Sequence, residues 1–148
     1  MPKGTEKYTQ KWRDIQIDGD LSKMLASDQK EIEKLSIREI SDASGRLLES
    51  DESSPILLLG DSHVLVFYAG KDLYVKGAGI SDQLAFAMSR SVDVIGVRGS
   101  GATPARLNLY RKAQRNPKYW AEKKIVVWCF AAREFTETDG WRVLPIEP

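Results

Sequence analysis

Apolar residues are sparse at the start of this chain and fall into compact blocks after Pro55. The first 15 or so residues are polar without a clear period, so residues 1–18 read as an N-terminal arm or a truncated end. Asp20–Leu25 could open a short helix, and residues 28–35 read as its continuation, with Ile32 and Leu35 as apolar contacts. Ile37-Arg38-Glu39-Ile40 alternates like a short edge strand. Asp42–Ser54, rich in Ser, Asp, Glu and Gly, reads as an exposed connection.

Beyond Pro55 the pattern becomes strand, helix, strand, helix, strand. Ile56–Leu59 is a continuous aliphatic run, as expected of a strand buried on both faces. After the Gly77-Ala78-Gly79 break, Ile80, Leu84 and Met88 recur at helical spacing, with Ser81 or Asp82 near the start. Val92–Val97 forms the second strand, a helix follows over about Pro104–Ala113, and Ile125–Phe130 forms the third strand. Strands alternating with helices predict a mainly parallel sheet in a three-layer α/β/α sandwich.

Composition narrows the function classes. The 148 residues suit one domain, and 22 basic against 21 acidic residues give no pull toward nucleic acid or an anionic membrane. No stretch reaches the roughly 18–20 apolar residues that span a bilayer, and residues 1–7 carry no apolar segment of a secretion signal. The single cysteine, Cys129, sits in the apolar run 125–130 and reads as a core thiol; no metal site and no cofactor are expected.

The candidate chemistry sits where the strands end. Gly60-Asp61-Ser62 directly follows the first buried strand, so the Ser62 hydroxyl can stand at the carboxyl edge of the sheet, with its own N–H available to an oxyanion. A simple helix cap by Asp61 or Ser62 is the plainer reading. The second strand ends in Arg98-Gly99-Ser100-Gly101-Ala102, and the third in Ala131-Ala132-Arg133. Right-handed crossovers bring these loops to one edge. Together they offer what acyl transfer requires: a hydroxyl nucleophile, glycine-rich N–H donors and a polar side chain for the acyl or sugar oxygen. Taken singly, the glycine loop is also an ordinary turn or a phosphate cradle at a helix start, and Arg133 a surface residue.

Taken in order, these blocks resemble the SGNH (GDSL-like) hydrolase superfamily. Gly19–Leu25, Pro55–His63, Gly77–Leu84, Arg98–Ala102 and Val126–Phe135 are more narrowly similar to the SGNH-like domain of the alginate O-acetyltransferase family, over roughly residues 19–145. The resemblance implies an SGNH/flavodoxin-like fold over residues 19–148 and a periplasmic protein that acetylates exopolysaccharide. It implies Ser62 as the acyl-carrying nucleophile, and oxyanion or substrate contacts from the Ser62 backbone, Gly99, Ser100, Gly101 and Arg133. Arg133 stands near where the hydrolases carry an asparagine. The implied partners are a polysaccharide or an acetyl-donor protein.

One departure bears on mechanism. The family's Asp-x-His pair lies upstream of the serine block, and the superfamily's lies near the C-terminus; here the only histidine is His63. Residues adjacent on a tight turn project differently, so His63 reads, with Asp61, as a supporting residue and a poor base for Ser62. Two main readings follow: the C-terminal part of an acetyltransferase or esterase whose base lies elsewhere, or a non-catalytic carbohydrate-binding module. A weaker third is a flavodoxin-like phosphate-binding regulator.

Overall fold

A computed structural model of the chain describes residues 2–19, 32–99, 101–136 and 140–146. At its centre is a three-stranded parallel sheet: β3 (Ile56–Gly60) lies between β4 (Asp93–Gly96) and β5 (Ile125–Cys129). Leu57 pairs with Asp93 on one side and Val126 on the other, and the register runs on to Gly60, level with Gly96 and Cys129.

All five residues of β3 are buried because both of its faces are covered. Leu57 and Leu59 pack with Ile95, with Ala105 and Leu109 of α2 (Ala102–Arg115), and with Tyr119 of α3 (Tyr119–Glu122). Ile56 and Leu58 point the other way, toward Val92, Val64 of the 3-10 turn Ser62–Leu65, and Ala85 of α1 (Ile80–Met88). Each of the Leu, Ile and Val side chains among these contributes about 1.5–3 kcal/mol when withdrawn from water. The aliphatic run is therefore the element around which the described fold condenses.

The chain leaves β3 through α1 to β4, then returns past β3 through α2 to β5. Strand order reverses between β3 and β5, and open α/β sheets bind ligands at the carboxyl ends beside such a reversal.

At the amino edge, Asp93 is wholly buried and accepts from Tyr119 Oη at 2.7 Å and Lys112 Nζ at 2.7 Å, with Lys123 Nζ at 3.0 Å. These contacts pin α2, α3 and the entry to β5 beneath the sheet.

The N-terminal third departs from the sequence reading. Within the expected arm of residues 1–18, Tyr8–Asp18 forms β1, an 11-residue strand antiparallel to β2 (Ile32–Asp42). The helix expected at 20–25, and the first part of that expected over 28–35, lie outside the described residues. Residues 32–35 are extended, not helical, because Ile15 faces Leu35 and Ile17 faces Glu33 across the hairpin. The alternating Ile15-Gln16-Ile17 pattern carries that strand. The short strand at 37–40 is the buried part of β2: Ile40 is fully buried, and its N–H donates to the Gly77 carbonyl at 2.7 Å.

Two details farther along also differ. α1 buries Ser81, Asp82 and Ala85; of the expected stripe, Leu84 and Met88 pack against the same cluster as Ala85, whereas Ile80 is 44% exposed. The 42–54 connection is not exposed throughout: Ser54 is buried, donates to the Ser91 carbonyl at 2.6 Å and accepts from the Ile56 N–H at 3.0 Å. Among the described residues no helix is long and apolar enough to cross a membrane, and no cluster of three or more His, Cys, Asp and Glu could hold a metal.

Candidate active site at the sheet's carboxyl edge

Gly60 ends β3 where no side chain fits. A Cβ there would lie 2.4 Å from the Cys129 carbonyl oxygen and 2.5 Å from a Val64 methyl. Its absence lets β5 and the 3-10 turn close on the strand end and hold the next residue in place.

That residue, Asp61, caps the 3-10 turn. Its Oδ1 accepts from the His63 N–H at 2.9 Å and from His63 Nδ1 at 2.7 Å, and its Oδ2 from the Ala131 N–H at 3.3 Å. Burial pushes this carboxyl upward, but these hydrogen bonds and the charge of His63 outweigh it, so Asp61 stays ionised below the usual carboxylate range. An ionised Asp61 accepts from Nδ1–H and leaves Nε2 as the open nitrogen of a largely exposed ring.

Ser62 is half-buried, and neither its hydroxyl nor its N–H has a partner among the described residues. Among those residues, no hydrogen bond joins the His63 ring to the Ser62 hydroxyl. The structure therefore gives His63 to Asp61 and leaves Ser62 open.

The second loop is anchored at both ends. Val97 N–H donates to the Gly60 carbonyl at 3.2 Å, and Arg98 Nη1 contacts both Asp72 oxygens at 2.8 and 2.7 Å. Gly99 has a φ of +67°, a left-handed conformation that favours glycine, and a Cβ there would meet only open space. Ser100 lies outside the described residues. Gly101 caps α2, and here the structure adds a residue the sequence did not reveal. Glu134 is buried, and its Oε2 accepts from the Ala102 N–H at 2.8 Å. A Cβ on Gly101 would fall 1.9 Å from Glu134 Oε1. The chain's own carboxylate thus occupies the position at the head of α2 where a phosphate would sit.

The third loop carries Arg133 at the start of α4 (Arg133–Thr136), exposed to solvent. Three hydrogen bonds tie the loops at one edge: Val97 to Gly60, Ala131 to Asp61 and Ala102 to Glu134. Beside the third loop, Trp128, Phe130, Phe135 and Trp141 form a contiguous ring cluster with centroids 4.8–5.6 Å apart. The Arg106 guanidinium lies 5.7 Å from the Trp141 ring centre. Phe135 and Trp141, aromatic residues in an otherwise polar tail, were the available signal for this cluster. Nothing in the local pattern pointed to Glu134.

No family model matches this sequence, and no curated protein does. Solved structures do. The chain superposes on the O-acetyltransferase domain of Pseudomonas putida AlgJ with a TM-score of 0.58 at 16% identity, over 86% of this chain and 41% of that one. It shares that domain's fold. Pseudomonas aeruginosa AlgX matches with a TM-score of 0.54, again at 16% identity, over 86% of this chain and 27% of its own. The SGNH-like resemblance read from the Gly-Asp-Ser block is borne out at the level of fold, and the chain spans less than half the length of either structure.

Proposed function

We propose that this chain is an SGNH-like domain of a polysaccharide O-acetylation system, with Ser62 carrying the acetyl group. One observation supports this most directly. Ser62 stands at the carboxyl end of the central strand, beside the strand-order reversal, with hydroxyl and N–H unclaimed among the described residues while Gly60, Asp61 and Val64 fix its backbone. The shared fold with the AlgJ O-acetyltransferase domain adds to it, and the helices on both sheet faces fit the three-layer sandwich of that architecture.

In this reading Ser62 Oγ attacks the acetyl carbonyl, a bond forms from Oγ to that carbon, and the bond to the donor's leaving atom breaks. The serine proton passes to a base and from it to the departing donor atom. A sugar hydroxyl then attacks the same carbon, the same base carries its proton to Oγ as the bond to Oγ breaks, and Ser62 is restored. This reading assigns the oxyanion contacts to the Ser62 N–H and the Gly99–Gly101 loop, and the contact to the sugar or acyl oxygen to Arg133. Asp61 organises the loop and engages His63 Nδ1, and no hydrogen bond among the described residues joins that ring to the hydroxyl, so this reading takes the base from another group. Water in place of the sugar makes the same site an acetylesterase. The partners are a polysaccharide and an acetyl donor, and the setting is the periplasm.

A non-catalytic carbohydrate-binding module is the second reading, favoured by the aromatic cluster beside the loops. Turnover of p-nitrophenyl acetate, with mass spectrometry of the acetylated peptide, separates the two. The isolated chain should form a slow acetyl adduct on Ser62 that Ser62→Ala abolishes. An extended chain bearing an upstream Asp-x-His segment should turn over about 10²–10⁴-fold faster. No adduct and no gain on extension would leave the binding module.

A further inference from the structure

A cavity of about 360 Å³ lies between the first turn of α1, the start of β4, the segment leaving β2 and the start of β1. One wall is apolar, built from Leu48, Ala85, Val92 and Val94. The remainder carries acid groups: Glu6, Glu49 and Asp82, together with Asp42, whose charge is matched by Arg46 at 3.2 Å. Tyr8 and Tyr68 also line it.

Among the described residues, two oxygens on residues that line this cavity have no hydrogen-bond partner. Asp82 Oδ1 and Ser81 Oγ are both buried, on residues only 1% and 3% exposed. The other Asp82 oxygen accepts from the Gly79 N–H at 2.9 Å, which fixes the carboxyl plane at the start of α1. Buried oxygens without partners are uncommon in native proteins, and each calls for a donor. The unmatched charges around them select the sign of that donor: an anion would face Glu6, Glu49 and Asp82, whereas a cation is attracted by all three and by the phenol faces.

We propose that this cavity is a binding site for a small alkylammonium ligand, its ammonium donating to Asp82 Oδ1 and Ser81 Oγ and its stem packing on Leu48, Ala85, Val92 and Val94. None of these residues takes part in the acetylation reading, so the two proposals stand or fall separately.

Binding of a cation is coupled to one proton. Burial, reinforced by the charge of Glu49, raises Asp82 to about 7. The groups facing it are Glu49 and the Asp42–Arg46 pair from the segment after β2, Glu6 and Tyr8 from the approach to β1, and Tyr68. An ammonium favours the ionised carboxyl, so the ligand expels the proton and affinity rises with pH until Asp82 is ionised.

The test is a titration of n-butylamine into isotope-labelled chain, followed by amide resonances, with 1-butanol as the uncharged comparison. Saturable shifts are expected at Ser81, Asp82, Ala85 and Val92, with binding roughly 100-fold tighter at about pH 8 than at about pH 5. Butanol should bind at least about tenfold more weakly, as charge-assisted hydrogen bonds are the stronger kind. Asp82→Asn should weaken amine binding at the higher pH and remove the pH dependence. If that variant does not fold, Glu49→Gln should weaken binding severalfold and keep the rise with pH. Absence of saturable shifts, equal binding of butanol, or amine affinity independent of pH would overturn the proposal.

Discussion

Replacing Asp93 with asparagine should cost this fold about 3 kcal/mol while leaving the Ser62 loop in place. Asp93 is fully buried and bonded to Tyr119 and Lys112, and its second ion pair, Lys123, is itself only 2% exposed. Three contacts outweigh burial and hold the carboxyl below its usual range. Asparagine keeps the volume and one acceptor, so no cavity forms; what is lost is the charge facing two ammonium groups. Lys112 can relax toward Glu52, already 3.5 Å away. Lys123 keeps only neutral acceptors, the carbonyls of Glu52 and Ser54 at 2.5 and 2.8 Å. Removing one partner of a buried pair costs about 3–5 kcal/mol, and these remaining contacts place the loss at the low end. At this chain length that lowers Tm by about 6–12 °C. Urea unfolding is the assay, because guanidinium would screen the charges. The pH dependence has a definite sign: the folded state holds Asp93 ionised, so its contribution is full above about pH 4, the unfolded carboxyl value, and is lost as pH falls through the folded one. The variant's stability should therefore fall less steeply in acid. A loss under about 1 kcal/mol, or an unchanged acid limb, would refute the assignment of this network as the clamp at the amino edge.

Gly60→Ala should destabilise by at least about 1–3 kcal/mol, because its methyl would collide with the backbone oxygen of Cys129; urea unfolding and the Ala131 amide resonance report the strain. Glu134→Ala removes the acceptor of the Ala102 N–H and should cost about 0.5–2 kcal/mol by urea unfolding, with the amide shifts confined to the start of α2 and to α4. Asp82 has the opposite sign to Asp93: its carboxyl rises to about 7 in the fold, so stability declines from about pH 4 to about pH 7, by up to roughly 4 kcal/mol. Asp82→Asn should flatten that slope in a pH series of thermal melts.

The parts of the fold legible in the sequence are those that bury both faces of an element. Ile56–Leu59 admits little besides a central strand, and the glycine after it marks where β5 and the turn approach. The hairpin was hidden by its own exposure: most of β1 faces solvent, Trp12 is 65% exposed, and little burial imposes an alternating pattern. Ile32 and Leu35, three apart, satisfy a helical period, whereas in the strand that forms they fall on opposite faces. In α1, the spacing of Ile80, Leu84 and Met88 located the helix and two of its core contacts, Leu84 and Met88, but not the buried Ser81 and Asp82, whose polar side chains give no burial signal and which line a cavity. At the site, Asp61 and Ser62 follow from position alone. Glu134 does not, because its partner, Ala102, is 32 residues away and the bond exists only once α4 is folded against α2.

The division of tasks among the acidic groups at the carboxyl edge bears directly on the proposed chemistry. Asp61 spends Oδ1 on two donors of His63 and Oδ2 on the Ala131 N–H. It is held ionised by those bonds, so the same contacts that make it a good organiser make it a poor proton acceptor for its neighbour. Glu134 is buried against the head of α2, where the helix dipole favours its charge. Neither carboxylate is placed to take a proton from Ser62, and among the described residues the His63 ring, bonded to Asp61 through Nδ1, makes no hydrogen bond to the Ser62 hydroxyl. Each instead joins one loop to another, so the edge is arranged for positioning, with proton transfer left to another group. In an acyl-transfer site, positioning and oxyanion contacts retain part of the catalysis when the base is lost. This is why the acetylation reading expects a slow, Ser62-dependent adduct from the isolated chain rather than none, and a large gain when an external histidine is supplied.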